Sequence, residues 1–173
     1  MPRIAPYGSW PSPISAELIT AGVTGLSALS GNDAALFWLE SRPDEGGRNT
    51  LVMWRDGARA ELTPAPFNVR TRVHEYGGGA YLATNSDAYF VNFADQNIYR
   101  VPLTGGAPIA ITHTDADTRY ADFVVDEPRA RLISVGERPG EKERENCLLA
   151  VAIATGATID LHRGHDFYAA PRI

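Results

Sequence analysis

The residues best suited to do chemistry lie in one short stretch, HEYGGG, which runs from His74 to Gly79. It places an imidazole beside a carboxylate, followed by a tyrosine and three glycines. His74 and Glu75 could exchange protons or hold a charged group, the usual tasks of these side chains in functional sites. The glycines do not form a phosphate-binding loop, because the Gly-x-Gly-x-x-Gly spacing is missing and no Lys-Ser/Thr pair follows them.

The elements that must position this stretch are short β-strands. Apolar runs such as ALFWLE, TLVMWR, AYFVNF and CLLAVAI alternate with turn sequences such as RDG, TGG and ATG. No segment has the periodicity of a long amphipathic helix. The sequence therefore predicts an all-β fold.

A repeat organises these strands. Each repeat has a glycine turn followed, five positions later, by an aliphatic residue, and the repeats are 49 or 50 residues apart. These pairs are Gly57 and Leu62, Gly106 and Ile111, and Gly156 and Leu161. A period of this size with about four short strands per repeat is typical of β-propeller blades.

We therefore predict a partial β-propeller of about three four-stranded antiparallel blades, plus the first strand of a fourth. The predicted units are a Pro-rich N-terminal segment (1–22), blade one (23–63), a crossover loop (64–77), blade two (78–112), blade three (120–162) and the start of blade four (165–173). Closed propellers have about four to eight blades, so we expect a fragment of a larger protein. A complete small β-sandwich is the alternative.

Composition narrows the possible partners and location. The net charge is −5 and basic residues are scattered, which argues against nucleic acid and anionic membranes as partners. Cys147 is the only cysteine, and the N-terminus lacks the apolar stretch of a secretory signal. We expect a cytoplasmic protein without a cofactor, and an isolated chain that self-associates through its unpaired blade edges.

Two further polar stretches are candidates for a metal site or a channel-lining site. HRGHD brings His162, His165 and Asp166 close together, but we expect turn residues there and no metal site. In the crossover DADTRYADF, Arg119 and Tyr120 could face the channel or cap the strand that follows. ERPGEKEREN, residues 137–146, is predicted to be a solvated hairpin loop.

Three stretches, APYGSWPSPISAELI, TRVHEYGGGAY and DFYAAPRI, resemble the N-terminal region of prolyl oligopeptidase family serine peptidases in collinear order. The branch they resemble most is that of the dipeptidyl aminopeptidases and acylaminoacyl peptidases. The resemblance implies a propeller, usually of seven blades, followed by an α/β-hydrolase domain with a Ser-His-Asp triad. It also implies short peptide substrates, to which the propeller restricts entry.

The hallmark of that hydrolase domain, a Gly-x-Ser-x-Gly elbow, does not occur in this sequence, and Ser27 in GLSAL comes nearest to it. We therefore expect no catalytic residue in this chain and hydrolysis by a C-terminal domain that it lacks. The chain itself would gate and select short peptides. The alternatives are a non-catalytic propeller that serves as a protein-interaction scaffold, and the product of a truncated gene.

The resemblance also implies a role for HEYGGG at one mouth of the propeller channel. Glu75 is the candidate to bind the free amino group of a peptide, with His74 and Tyr76 beside it. In the structural alternative, Glu75 pairs with Arg70 or Arg72 and His74 is a hydrogen-bonded core histidine.

The three glycines, Gly77, Gly78 and Gly79, are predicted to be a structural turn. Glycine tolerates positive φ and close approach, and both are needed where the backbone packs at a crowded propeller axis.

Overall fold

The computed structural model describes residues 4–20, 22–114 and 117–173. Its strands form three antiparallel sheets, each built from four strands that are consecutive in the sequence. The helix α1 (Ala16–Thr20) lies in the N-terminal segment, and short 3-10 turns lie at Pro43–Glu45 and Glu127–Arg129. In the described ranges, no helix has the length and apolar character that crossing a bilayer requires.

Blade one comprises β1 (Gly25–Gly31), β2 (Leu36–Arg42), β3 (Arg48–Arg55) and β4 (Ala58–Glu61). The glycine turn predicted from the repeat joins β3 to β4. Asp56 and Gly57 have φ of 52° and 78° there, and positive φ at both central residues is typical of a type I′ hairpin, which suits the twist of its strands.

Blade two comprises β5 (Tyr81–Ala83), β6 (Asp87–Val91), β7 (Ile98–Pro102) and β8 (Ile109–Ala110). Blade three comprises β9 (Arg119–Asp126), β10 (Arg131–Pro139), β11 (Arg144–Ala152) and β12 (Thr158–Arg163). The all-β, partial-propeller prediction is confirmed. No strand is assigned in 164–173, so the first strand of a fourth blade stays a prediction.

The core lies between the blades, and β6 shows why. Every residue of β6 is buried, because alternate side chains point to opposite faces of the sheet and a blade covers each face. Phe90 belongs to one core cluster with Phe37 and Leu51 of blade one. Val91 belongs to a second cluster, with Leu132 of blade three. Full burial of one such side chain stabilises a fold by about 1.5–3 kcal/mol.

The outer faces are open. Every residue of β1 is exposed, including Leu26 and Leu29. In blade three, Leu161 of β12 is 41% exposed, whereas its repeat equivalents Leu62 and Ile111 are 5% and 8% exposed. The repeat position is therefore buried where another blade follows and exposed where none follows in this chain.

Candidate functional site

A cleft of about 1240 Å³ opens at one end of the blades. Three parts of the chain line it: the HEY residues of the crossover, the end of the β10–β11 hairpin, and the segment after β12. The hairpin was predicted to be only a solvated loop, but its first residue, Glu137, is 4% exposed and lies in the wall of the cleft.

The backbone of the HEY stretch has an uncommon conformation. His74 and Glu75 have φ of 55° and 66°, in the left-handed region that non-glycine residues rarely adopt. Two hydrogen bonds close the turn, from the Glu75 N–H to the Arg72 carbonyl at 3.0 Å and from the Gly77 N–H to the Val73 carbonyl at 2.9 Å. Such conformations cluster at functional sites, where surrounding structure holds them in place.

His74 is held from two sides. Its backbone N–H donates to Glu137 Oε2 at 2.9 Å. Its ring Nε2 makes a 2.8 Å hydrogen bond with Asn146 Oδ1. Asn146 also donates from Nδ2 to the carbonyl of Asp166 at 2.7 Å. Asn146 therefore connects the crossover to the segment after β12, and sequence reasoning placed it in a solvated loop.

Glu75 pairs with Arg119, not with Arg70 or Arg72 as the structural alternative predicted. Arg119 Nη1 lies 2.6 Å from Glu75 Oε1 and also donates to the Arg72 carbonyl at 2.9 Å. Arg70 and Arg72 instead lie over the ring of Phe93, at 5.0 and 4.4 Å from its centroid. Sequence proximity therefore predicted the wrong arginine.

The side chain of Glu75 is 77% exposed, and Arg119 favours its ionised form. The hydrogen bond from Arg119 and its positive charge hold the pKa of Glu75 below its ordinary value. Glu75 is therefore ionised at neutral pH. Only Oε1 is engaged; Oε2 has no hydrogen-bond partner in the described part of the chain.

Three aromatic rings meet beside Glu75. His74 lies 5.1 Å from Phe167, edge to face, and 5.8 Å from Tyr76, centroid to centroid. Tyr76 and Phe167 are 80% and 67% exposed. Phe167 was treated only as part of a blade-four strand, and no local sequence signal connects it with a residue so far back in the chain.

Gly78 and Gly79 pack against blade three, and Gly77 packs against Thr71 of the crossover. Gly77 has φ of 92°. The Gly79 N–H donates to Asp122 Oδ1 at 2.6 Å, and a Cβ on Gly79 would lie 2.8 Å from that oxygen. Asp122 Oδ2 accepts from the Ala170 N–H at 3.0 Å, so one carboxylate ties together three consecutive inner segments. No local sequence pattern predicted this role for Asp122.

Of the remaining candidates, His165 and Asp166 line the cleft, and the others lie outside it. Tyr120 is fully buried in the core between blades two and three and does not face the channel, because β9 turns it inward. His162 and His165 stack at 5.3 Å, and His162 Nδ1 bonds Tyr168 Oη at 2.7 Å. Ser27 lies within β1.

The described residues include no group of three or more His, Cys, Asp or Glu side chains that could hold a metal ion. Asp115 and Ala116, at the start of the predicted DADTRYADF crossover, lie outside the described residues.

Several solved structures are similar to this chain. A puromycin-hydrolysing peptidase of Mycobacterium tuberculosis superposes with a TM-score of 0.85 at 34% identity over 97% of this chain. Two structures of puromycin hydrolase match at 30% identity over 92% of the chain, with TM-scores of 0.79 and 0.78. The resemblance to the prolyl oligopeptidase family is therefore confirmed.

This chain spans only 29% of the M. tuberculosis peptidase and 27% of puromycin hydrolase. The AtxE2 isopeptidase, at 16% identity and a TM-score of 0.56, shares the fold alone. No protein-family model matches the chain, and no curated protein matches it significantly.

Proposed function

We propose that this chain is the substrate-selecting propeller portion of a serine peptidase of the prolyl oligopeptidase type. Hydrolysis would be carried out by an α/β-hydrolase domain elsewhere in the protein. The observation that carries the proposal is the match of 97% of this chain to part of a puromycin-hydrolysing peptidase. The cleft on this part of the fold supports a role in selection rather than scaffolding.

The substrates would be short peptides or aminoacyl amides with a free amino terminus. Puromycin, which the similar peptidases hydrolyse, is an aminoacyl nucleoside whose amide bond lies next to a free α-amino group. An ammonium ion forms a charge-assisted hydrogen bond with a carboxylate that is already ionised. The dipeptidyl aminopeptidase branch and a cytoplasmic location remain predictions.

Glu75 is the proposed receptor for that ammonium group. Its carboxylate is ionised, Arg119 holds it through Oε1, and Oε2 accepts no hydrogen bond from another described residue. The charge of the cleft favours the same ligand, since its lining residues include six carboxylates against one lysine and two arginines. A cation is therefore attracted to the cleft before it contacts Glu75.

The test is kinetic and uses the product of the complete gene. Chromogenic aminoacyl substrates are compared with their N-acetylated forms, in the native protein and in Glu75→Gln. Loss of one charge-assisted hydrogen bond should lower kcat/KM on free-amino substrates by roughly 10- to 100-fold. The N-acetylated substrates, which lack the ammonium group, should change little.

Glu127→Gln is the matched control, because Glu127 is an exposed glutamate outside the cleft. It should leave both substrate classes unaffected. Equal loss on both classes in Glu75→Gln, in step with lower thermal stability, would assign Glu75 a structural role only. A complete gene product without serine-inhibitor-sensitive hydrolysis would favour the scaffold alternative.

A further inference from the structure

We propose that His74, Tyr76 and Phe167 form an aromatic subsite that receives an aromatic side chain of the substrate's N-terminal residue. The inference rests on the proposed function and specifies its substrate class. It makes the cleft selective for aromatic residues, in addition to the free amino group that Glu75 would bind.

The three rings are arranged around His74. His74 lies between the other two, edge to face with Phe167 at 5.1 Å and tilted by 47° to Tyr76 at 5.8 Å. Both separations fall in the range of about 4.5–7 Å at which aromatic pairs attract each other. The set therefore presents both ring faces and ring edges, which can contact a further ring in the same way.

Two of the three rings are exposed to solvent. Tyr76 and Phe167 line the cleft and are 80% and 67% exposed, although both are large and apolar. Exposed apolar side chains grouped in a concave site are typical of ligand-binding grooves and of interfaces. An aromatic ligand would remove this surface from water.

Hydrogen bonds hold the residues of the subsite in position. Asn146 Oδ1 bonds the His74 ring at 2.8 Å, and its Nδ2 bonds the Asp166 carbonyl, directly before Phe167, at 2.7 Å. The buried carboxylate of Glu137 holds the His74 backbone at 2.9 Å. Asn146 is therefore a positioning residue that sets the separation between His74 and Phe167.

Two of the rings are adjacent in the sequence to the proposed ammonium receptor. Glu75 lies between His74 and Tyr76 in the chain, so the proposed ammonium receptor and two of the rings share one turn of backbone. In an amino acid, the ammonium group and the side chain leave the same Cα. A single N-terminal residue can therefore engage Glu75 and the rings together, which a residue further along a peptide cannot do.

The experiment compares phenylalanyl and alanyl p-nitroanilides with the product of the complete gene, each with a free or an N-acetylated amino group. We expect the native protein to prefer the phenylalanyl substrate. Phe167→Ala should reduce the Phe/Ala ratio of kcat/KM by about 5- to 20-fold. Phe167→Tyr keeps the ring and should retain the ratio within about 2-fold. Asn146→Ala should reduce the ratio as Phe167→Ala does.

The outcomes separate the two proposals. A native Phe/Ala ratio near one, or a ratio unchanged in Phe167→Ala, overturns the aromatic subsite even if the preference for a free amino group persists. Loss of the free-amino preference with the Phe/Ala ratio intact contradicts the role of Glu75 instead. If the protein hydrolyses neither substrate, calorimetric titration with phenylalaninamide and alaninamide decides, and equal affinity for the two overturns the subsite.

Discussion

Two arginine–carboxylate networks in this chain use the same side chains for different purposes. The blade-one network comprises Glu40, Arg42, Glu45, Arg48, Arg59 and Glu61. The cleft network comprises Glu75, Arg119, Glu137 and Arg144. In the first network each of the three carboxylates contacts two of the three arginines, so the charges balance.

In the cleft network, one of the two carboxylates has a single arginine partner. Glu137 contacts two arginines, but Glu75 contacts only Arg119 and its side chain is 77% exposed. The side chains of Glu40 and Glu61 are 10% and 25% exposed. A carboxylate surrounded by arginines holds strands together, whereas a carboxylate held by one arginine on one side is available to a ligand on the other. Number of partners and exposure, rather than residue type, distinguish the two networks.

The largest expected effect follows from Arg48→Met. Arg48 is 7% exposed, pairs with Glu61 and Glu45, and donates to the carbonyls of Thr63 and Phe67. Its loss leaves charges and carbonyls unpaired inside blade one, which should lower the free energy of unfolding by about 3–5 kcal/mol. Urea denaturation measures this, and a loss below about 1 kcal/mol would show that the network is not structural.

Arg119→Met should have a smaller effect, about 1–2 kcal/mol. Glu137 keeps its hydrogen bond from the His74 N–H and its ion pair with Arg144, so the buried carboxylate is not left alone. The pKa of Glu75 should rise towards its ordinary value, since the hydrogen bond that lowers it is removed. NMR titration of the Glu75 carboxyl carbon checks this, and an unchanged pKa would mean that Arg119 does not hold it.

The blade-one network should also make the free energy of unfolding depend on pH in the acidic range. Burial alone raises the pKa of Glu61, but hydrogen bonds from Arg48, Arg42 and Thr50 outweigh it and hold that pKa below its ordinary value. The stabilisation is therefore complete above the unfolded-state pKa of about 4.3 and is lost as pH falls through the lower, folded-state pKa.

Glu61→Gln isolates this contribution. The native chain should exceed the variant by about 1 kcal/mol at pH 7, and the difference should shrink towards zero as the pH falls below about 4. Thermal unfolding at several pH values measures the difference. A gap that stays constant from neutral to acidic pH would show that ionisation of Glu61 is not its source.

The smallest expected effect is that of Glu75→Gln on stability. Because Glu75 is exposed and makes a single surface ion pair, the melting temperature should shift by less than about 2 °C. The same substitution is expected to lower kcat/KM on free-amino substrates strongly. A large drop in melting temperature would place Glu75 with the blade-one carboxylates and remove the contrast between the two networks.

The sequence by itself determined the all-β class and the repeat. These depend on local properties, namely short apolar runs and glycine turns whose positive φ few other residues adopt. It also identified HEYGGG as the segment to examine, and the cleft lies there. The repeat did not determine burial, since Leu62 is covered by a following blade and Leu161 is 41% exposed.

Only the tertiary structure decided the contacts of the site. Glu75 meets Arg119 across 44 residues, and His74 meets Glu137 and Asn146 across 63 and 72 residues. Blade packing brings these groups together, and no local pattern encodes that packing. Arg72, three residues before Glu75 in the sequence, lies over the Phe93 ring instead of forming the ion pair that Arg119 makes with Glu75. Charge pairing depends on distance in space, and in a propeller that distance is set between blades rather than along the chain.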